Sequence, residues 1–236
     1  LIYTYMDFLA SFGVGGAHPG GLQLTKHILS TENVDATKHI LDAGCGTGQT
    51  ASFIAENYAC PLTAIDKNNL MLEKANKRFS SLSLPIRAEY ADIEQLQFDD
   101  ESFDLVLSES VLAFTTIPVA LNELKRVLKP GGTLIAVEIV LEQQLPESEW
   151  RAITEFYGFT QLLTDSSWDN LLKQAGFRQI IIEPFNYEID KDNVENAPDF
   201  SPSDNIDDQL IKILDNHQHL SKKYKNILGF RVFRCS

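Results

Sequence analysis

One junction constrains this chain more than any other. The apolar run His39-Ile40-Leu41 feeds into Asp42-Ala43-Gly44-Cys45-Gly46-Thr47-Gly48, and Gln49 to Tyr58 then has the pattern of a helix. A strand that turns within a few residues into a helix uses glycine where no side chain fits. It also brings bare backbone close to a ligand. The N-terminus of the following helix presents free N–H groups suited to an anion. A carboxylate or a phosphate can sit there. The spacing is G-x-G-x-G, with Gln49 where a dinucleotide fingerprint has its third glycine. Tight turns of this kind also have purely structural uses.

The chain beyond repeats the strand-to-helix rhythm. Leu62 to Ile65, Ile86 to Tyr90, Phe103 to Leu107 and Thr133 to Ile139 read as strands. Asn68 to Phe79 and Pro118 to Leu128 read as helices, with Pro118 in a first turn and Lys129-Pro130-Gly131-Gly132 as the stop. Strands alternating with helices predict an α/β, doubly wound, Rossmann-like parallel sheet with helices on both faces. After Val140 the rhythm changes. Glu147 to Leu163 and Trp168 to Ala175 read as helices, and Phe177 to Ile189 as a long strand. Asp190 to Asp208, acidic and carrying Pro198 and Pro202, reads as an exposed loop. Ile206 to Tyr224 is expected to be a helix and Ile227 to Arg234 a closing strand.

Length and charge narrow the class. With 236 residues, one domain is expected, and 44% hydrophobic against 22% charged residues is ordinary for a globular chain. The formal charge of -13 argues against nucleic acid or an anionic membrane surface as a partner, since both are bound through Lys and Arg. Cys45, Cys60 and Cys235 are scattered, with no metal-binding spacing and no disulfide framework, so a cytoplasmic location is expected and no metal. No stretch has the length and apolarity of a membrane span. Leu1 to Ala10 lacks the basic start of a signal peptide. The chain opens on Leu1, and the natural chain is expected to start earlier.

Three further sites stand at strand ends. Asp66 closes the second strand about twenty residues past the glycines, where an acid accepts from ribose hydroxyls. A helix cap is its structural alternative. Ala91-Asp92-Ile93 follows the third strand. Asp92 is placed to accept from an adenine amine with Ile93 against the ring, and a plain turn Asp is the alternative. Ser108-Glu109-Ser110 follows the fourth strand, where the reacting end of a ligand would lie.

Together these residues resemble the class I S-adenosylmethionine (SAM)-dependent methyltransferases, in particular the small-molecule branch of the ubiquinone and menaquinone biosynthesis type. The resemblance runs from about His39 to Glu138. It rests on Leu41 to Gly48, Asp66, Ala91-Asp92-Ile93, Phe103-Asp104-Leu105-Val106 and Leu124-Lys125-Arg126-Val127-Leu128-Lys129-Pro130-Gly131-Gly132. It implies a seven-stranded, mostly parallel sheet whose last strand is antiparallel. It also implies roles. Asp42, Gly44, Gly46 and Gly48 would lie along the methionine part of SAM, and Asp66 with Lys67 along the ribose and adenosine. Ala91, Asp92 and Ile93 would hold the adenine, and Ser108 and Glu109 would lie under the sulfonium end. The organisation expected is an N-terminal helical lid (1–35), a SAM-binding core (36–140), a substrate-cap insertion (141–176) and closing strands with a helix (177–236).

SAM brings its own leaving group, so the protein mainly supplies position and electrostatics, with a base where the acceptor needs one. His18, within Gly15-Gly16-Ala17-His18-Pro19-Gly20-Gly21, and Glu109 are the candidate bases. A structured turn is the alternative for His18. Tyr3, Tyr5 and Phe8, with Trp150, Phe156, Tyr157 and Phe159 of the expected cap, are candidate acceptor-pocket walls, or plain core. The Asp/Asn-Pro-Pro-Tyr signature of enzymes acting on exocyclic amines is missing after the fourth strand. With the acidic charge this disfavours DNA and many RNA substrates and leaves a protein acceptor open; the resemblance implies a small-molecule acceptor, and a monomer or small homo-oligomer is expected. A non-methylating or regulatory SAM-binding relative is the alternative. A nicotinamide-dependent oxidoreductase is disfavoured by Gln49 and by the Lys129 to Gly132 run.

Overall fold

The computed structural model describes residues 3–184 and 199–236. Two helices, α1 (Tyr5–Phe12) and α2 (Gly21–Thr31), precede β1 (Ile40–Ala43). Then follow α3 (Gln49–Asn57), β2 (Leu62–Asp66), α4 (Asn69–Ser81), β3 (Ala88–Tyr90) and β4 (Phe103–Glu109). A single helical turn, Leu112–Phe114, leads into α5 (Ile117–Val127) and β5 (Leu128–Leu141). The described chain closes with α6 (Glu147–Tyr157), α7 (Asp165–Gln174), β6 (Ile180–Pro184), α8 (Asp208–Lys223) and β7 (Leu228–Cys235).

The strands form one seven-stranded sheet in the order β3-β2-β1-β4-β5-β7-β6. The pairs from β3 through β5 are parallel, and β7 runs antiparallel to both β5 and β6. This is the expected doubly wound sheet, antiparallel last strand included. Side chains alternate across a strand, and the central strands are apolar on both faces. Ile40, Leu105, Leu107, Ile135 and Val137 pack with Leu24, Ile28 and Leu29 of α2. Leu41, Val106, Leu134 and Ala136 pack on the opposite face with Leu121 and Leu124 of α5 and Trp168 and Leu172 of α7. Each such side chain contributes roughly 1.5–3 kcal/mol of burial.

Several boundaries differ from the expected ones, for local reasons. α6 ends at Tyr157, not Leu163, because Gly158 takes a left-handed φ of 79° and caps it. Thr164 caps α7 by accepting from the Ser167 amide, so that helix starts before Trp168. Lys129 to Gly132 belongs to the start of β5, where the ladder with β4 slips between Phe103 and Leu105. Lys129 Nζ lies 2.6 Å from Asp104 Oδ2, so that motif pins the strand ends away from the cavity. The expected strand Phe177–Ile189 begins only at Ile180. Its residues 185–189, and 190–198 of the expected loop, lie outside the described residues. Among the described residues no helix is long and apolar enough to cross a membrane.

Candidate active site

The strand order reverses between β1 and β4, and in such sheets the crevice beyond the strand ends at that point is where ligands bind. A cavity of about 620 Å³ lies there. That is within the ~300–1,000 Å³ typical of small-molecule sites. Asp42, Gly44, Cys45, Gly46 and Thr47 line it from the turn, and Asp66, Lys67, Ala91 and Ile93 from the ends of β2 and β3. Glu109 and Ser110 line it from β4, and Glu138 from β5. Residues of α1, α6 and α8 close the far side.

The three glycines of the turn have different uses. All have positive φ, at 90°, 53° and 76° for Gly44, Gly46 and Gly48. Gly48 is buried and does not line the cavity. A Cβ there would come within 2.7 Å of the Phe79 ring, so this glycine lets α3 and α4 approach. A Cβ on Gly44 would meet Val111, whereas one on Gly46 meets nothing within 4 Å. Gly46 therefore faces open space, and its amide donates to Asp66 Oδ2 at 2.9 Å. The Asp66 carboxylate also accepts from the Asn68 amide at 2.8 Å. The cap of α4 is Asn68 itself, which accepts from Leu70 and Met71, so Asp66 braces the glycine turn at the cavity edge. Burial raises its carboxyl above the usual range, against the lowering effect of those amides.

Asp42 is 3% exposed, and its Oδ2 has no hydrogen-bond partner in the structure. Burial raises its carboxyl well above the usual range, and the charges of Glu109 and Asp66 add to this. A buried, unpartnered carboxylate oxygen on a cavity wall is costly until a cationic or hydrogen-bonding ligand meets it.

Two residues expected at the cofactor are not among those that line the cavity. Asp92 Oδ1 accepts from the Glu94 amide at 2.9 Å, the plain turn use, and Asp92 does not line the cavity. Ala91 and Ile93 on either side of it do. Ser108 is fully buried in β4 and also does not line the cavity. It alternates with Leu107 and Glu109, so its side chain lies on the other face of the sheet.

The two candidate bases meet. Glu109 accepts from Thr25 of α2 at 2.6 Å and from Thr50 of α3 at 2.7 Å. His18 Nε2 stands 3.5 Å from Glu109 Oε2, and its Nδ1 is 3.2 Å from the Pro19 carbonyl. Both line the cavity. Glu109 is thus held by hydroxyls from two helices and lies beside His18.

Sequence reasoning missed Glu138, although an acid inside the apolar run Leu134 to Leu141 was a signal. Its carboxylate is fully buried and accepts from the amides of Val111, Leu112 and Ala113 at 3.0, 2.9 and 3.4 Å. It anchors the turn Leu112–Phe114 beside the cavity, and burial pushes its carboxyl up to about 7. Also missed was the part played by α8, expected as a helix, which sends Leu214, His217 and Ser221 to the cavity. Of the expected aromatic walls, Tyr5, Phe8, Tyr157 and Phe159 line it, while Tyr3, Trp150 and Phe156 do not. Among the described residues no group of His, Cys, Asp or Glu is arranged to hold a metal ion.

The chain is similar to known proteins. A methyltransferase domain family matches residues 41–136. The Bacillus subtilis protein described as uncharacterized methyltransferase YodH is 41% identical over 229 residues, 97% of each chain. An O-methyltransferase of Pyrenophora dematioidea is 32% identical over 162 residues, covering 66% of this chain and 60% of that one. Among solved structures, phosphoethanolamine N-methyltransferase 2 of Haemonchus contortus in complex with S-adenosyl-L-methionine has a TM-score of 0.77 at 21% identity. That match covers 99% of this chain and 57% of the other, so this chain corresponds to about half of it.

Proposed function

Because the chain belongs to the SAM-dependent methyltransferases, we propose that it methylates a small, largely apolar acceptor held beneath α1, α6 and α8. The observation that carries the placement of the cofactor is the pair of Asp42 and Gly46. One offers an orphaned carboxylate oxygen and the other a bare backbone open to the same cavity. SAM, when bound, supplies an electrophilic methyl group together with its leaving group.

The protein's own residues bind, orient and shield. Asp42 takes the ammonium of the methionine part, where no protein donor satisfies it. His18, held on Glu109, faces the carboxylate of that part. Asp66 keeps lone pairs for the ribose hydroxyls while bracing Gly46, and Ala91 and Ile93 flank the adenine. Glu109 and Glu138 place negative charge along the path of a cationic sulfur, an arrangement that favours the charged cofactor before transfer. The apolar walls from Tyr5, Phe8, Tyr157 and Phe159 exclude water and hold the acceptor.

The experiment has two arms. Calorimetric titration of SAM into wild type and Asp42→Asn should show at least about tenfold weaker binding in the variant. Equal affinity would overturn the Asp42 placement. Labelled SAM incubated with metabolite fractions should yield a labelled small molecule identifiable by mass. Label appearing only in macromolecules would overturn the acceptor class.

A further inference from the structure

The wall of the cavity opposite the glycine turn holds a polar pair that the binding of SAM does not use. His217 of α8 and Tyr157 of α6 both line the cavity, with His217 Nδ1 3.1 Å from the Tyr157 hydroxyl. The ring of Tyr5 in α1 lies 5.3 Å from the imidazole and 4.9 Å from the Tyr157 ring. Ser221, one turn beyond His217, lines the same wall. The imidazole on α8 is therefore held by Tyr157 of α6 through one nitrogen and by the ring of Tyr5 of α1. The other, Nε2, has no hydrogen-bond partner among the described residues.

We propose that His217 is the base that takes the proton from a hydroxyl group on a planar aromatic acceptor, with Tyr157 as the residue that positions it. The inference rests on the methyltransferase reading of the cavity. Three observations select the acceptor class. The walls beside the pair are flat rings: Tyr157 stacks on Phe159 at 5.0 Å and 15°, and Phe159 meets Phe114 at 5.1 Å. Another ring packs against the open faces and edges of such a cluster. The carboxylates of Glu138 and Glu109 are held by three backbone amides and by two threonine hydroxyls, and in the reading above they serve the sulfonium, so neither is left over for an ammonium acceptor. Apart from Lys67 beside Asp66, Lys225 is the one Lys or Arg among the described residues that lines the cavity. A phosphorylated acceptor would need a cationic cluster that is not built here.

The step balances simply. In the tautomer whose Nδ1–H donates to the Tyr157 oxygen, Nε2 keeps its lone pair. The acceptor oxygen forms its bond to the methyl carbon while its proton passes to Nε2. The carbon–sulfur bond breaks with its electron pair on sulfur. The products are a methyl ether, S-adenosylhomocysteine and an imidazolium that loses its proton to water. Burial lowers His217 below the usual imidazole range, so it is neutral and able to accept at neutral pH. The titratable groups facing it are Tyr5 from α1 and Tyr157 from α6, and burial keeps both neutral.

The test is made first without turnover. Wild type, His217→Phe, His217→Asn and Tyr157→Phe are loaded with S-adenosylhomocysteine. Each is titrated with para-nitrophenol, its methyl ether para-nitroanisole, and benzyltrimethylammonium. Wild type is expected to bind the phenol about tenfold more tightly than the ether, and both His217 variants to lose that preference. Tyr157→Phe should keep a reduced part of it. Once an acceptor is in hand, the His217 variants should lose about 10²-fold or more in kcat/KM. They should also lose the rising acid limb of the pH profile, with S-adenosylhomocysteine affinity unchanged. Retained preference in His217→Asn, binding of neither aromatic probe, or tightest binding of the quaternary ammonium would overturn the inference. Failure of wild type to bind SAM or S-adenosylhomocysteine would instead overturn the reading on which it rests.

Discussion

Asp42 and Glu138 are both buried carboxyl groups on the same cavity, and their surroundings set them to different tasks. Asp42 has an oxygen with no donor, and burial together with Glu109 and Asp66 holds its carboxyl high. A cation arriving there favours the ionised form, so its binding should expel a proton. SAM affinity should then rise with pH until the empty-site carboxyl is ionised. Calorimetry in buffers of different ionisation enthalpy should detect proton release, and Asp42→Asn should abolish it. Glu138 is satisfied by three amides and titrates near 7, raised from 4.5. Stability owed to its neutral form is fully present below 4.5 and is lost as pH rises through about 7. Glu138→Gln stays neutral, so its stability relative to wild type should improve by up to about 3 kcal/mol between about pH 5 and about pH 8. Thermal melts across that range check this, and parallel curves would refute it. Asp66 was legible in the sequence because its role depends on a fixed distance from the glycines. Glu138 and the Thr25–Glu109–Thr50 bonds were not, because they join residues far apart in the chain.

At the scale of elements, the glycine turn and the strand rhythm were legible because each depends on a local pattern. The turn needs positive φ at three positions, and the strands need apolar side chains on both faces. Two glycines of the turn should nonetheless respond differently to alanine. Gly48→Ala drives a methyl against Phe79 at a left-handed φ and should cost about 2–3 kcal/mol of stability, read as a lower denaturation midpoint. Gly46→Ala meets open space and should cost about 1 kcal/mol of stability, yet weaken SAM binding about tenfold or more. Equal effects on binding would show that Gly46 does not lie against the cofactor. The place of α8 was not legible in the same way. An amphipathic pattern says that a helix has a face to bury, and not which neighbour buries it. Leu210 and Ile213 bury theirs against Phe8 and Leu9 of α1, which turns His217 toward the cavity.

Across the whole molecule, the cavity lies between two bodies of unequal packing. Beneath it the central strands β1, β4 and β5 are enclosed by helices on both faces. Above it α1 and α8, from opposite ends of the chain, form a separate apolar cluster with Met71 of α4. The segment Asp199 to Ser203 ties this cluster down through the Ser201 carbonyl, which accepts from Lys74, and through the 2.5 Å pair of Asp199 with Arg78. A separate cluster of this kind is expected to open at lower cost than the sheet, as entry to and release from a buried ligand site require. Hydrogen exchange should therefore show β4 and β5 amides protected up to the global unfolding free energy, and α1 and α8 amides exchanging through a smaller opening. Saturating SAM, bound as proposed, should slow exchange in α1 more than in β5, whose amides already report global unfolding. Equal protection of lid and sheet in the free protein would mean that the cavity fills only when the whole fold opens.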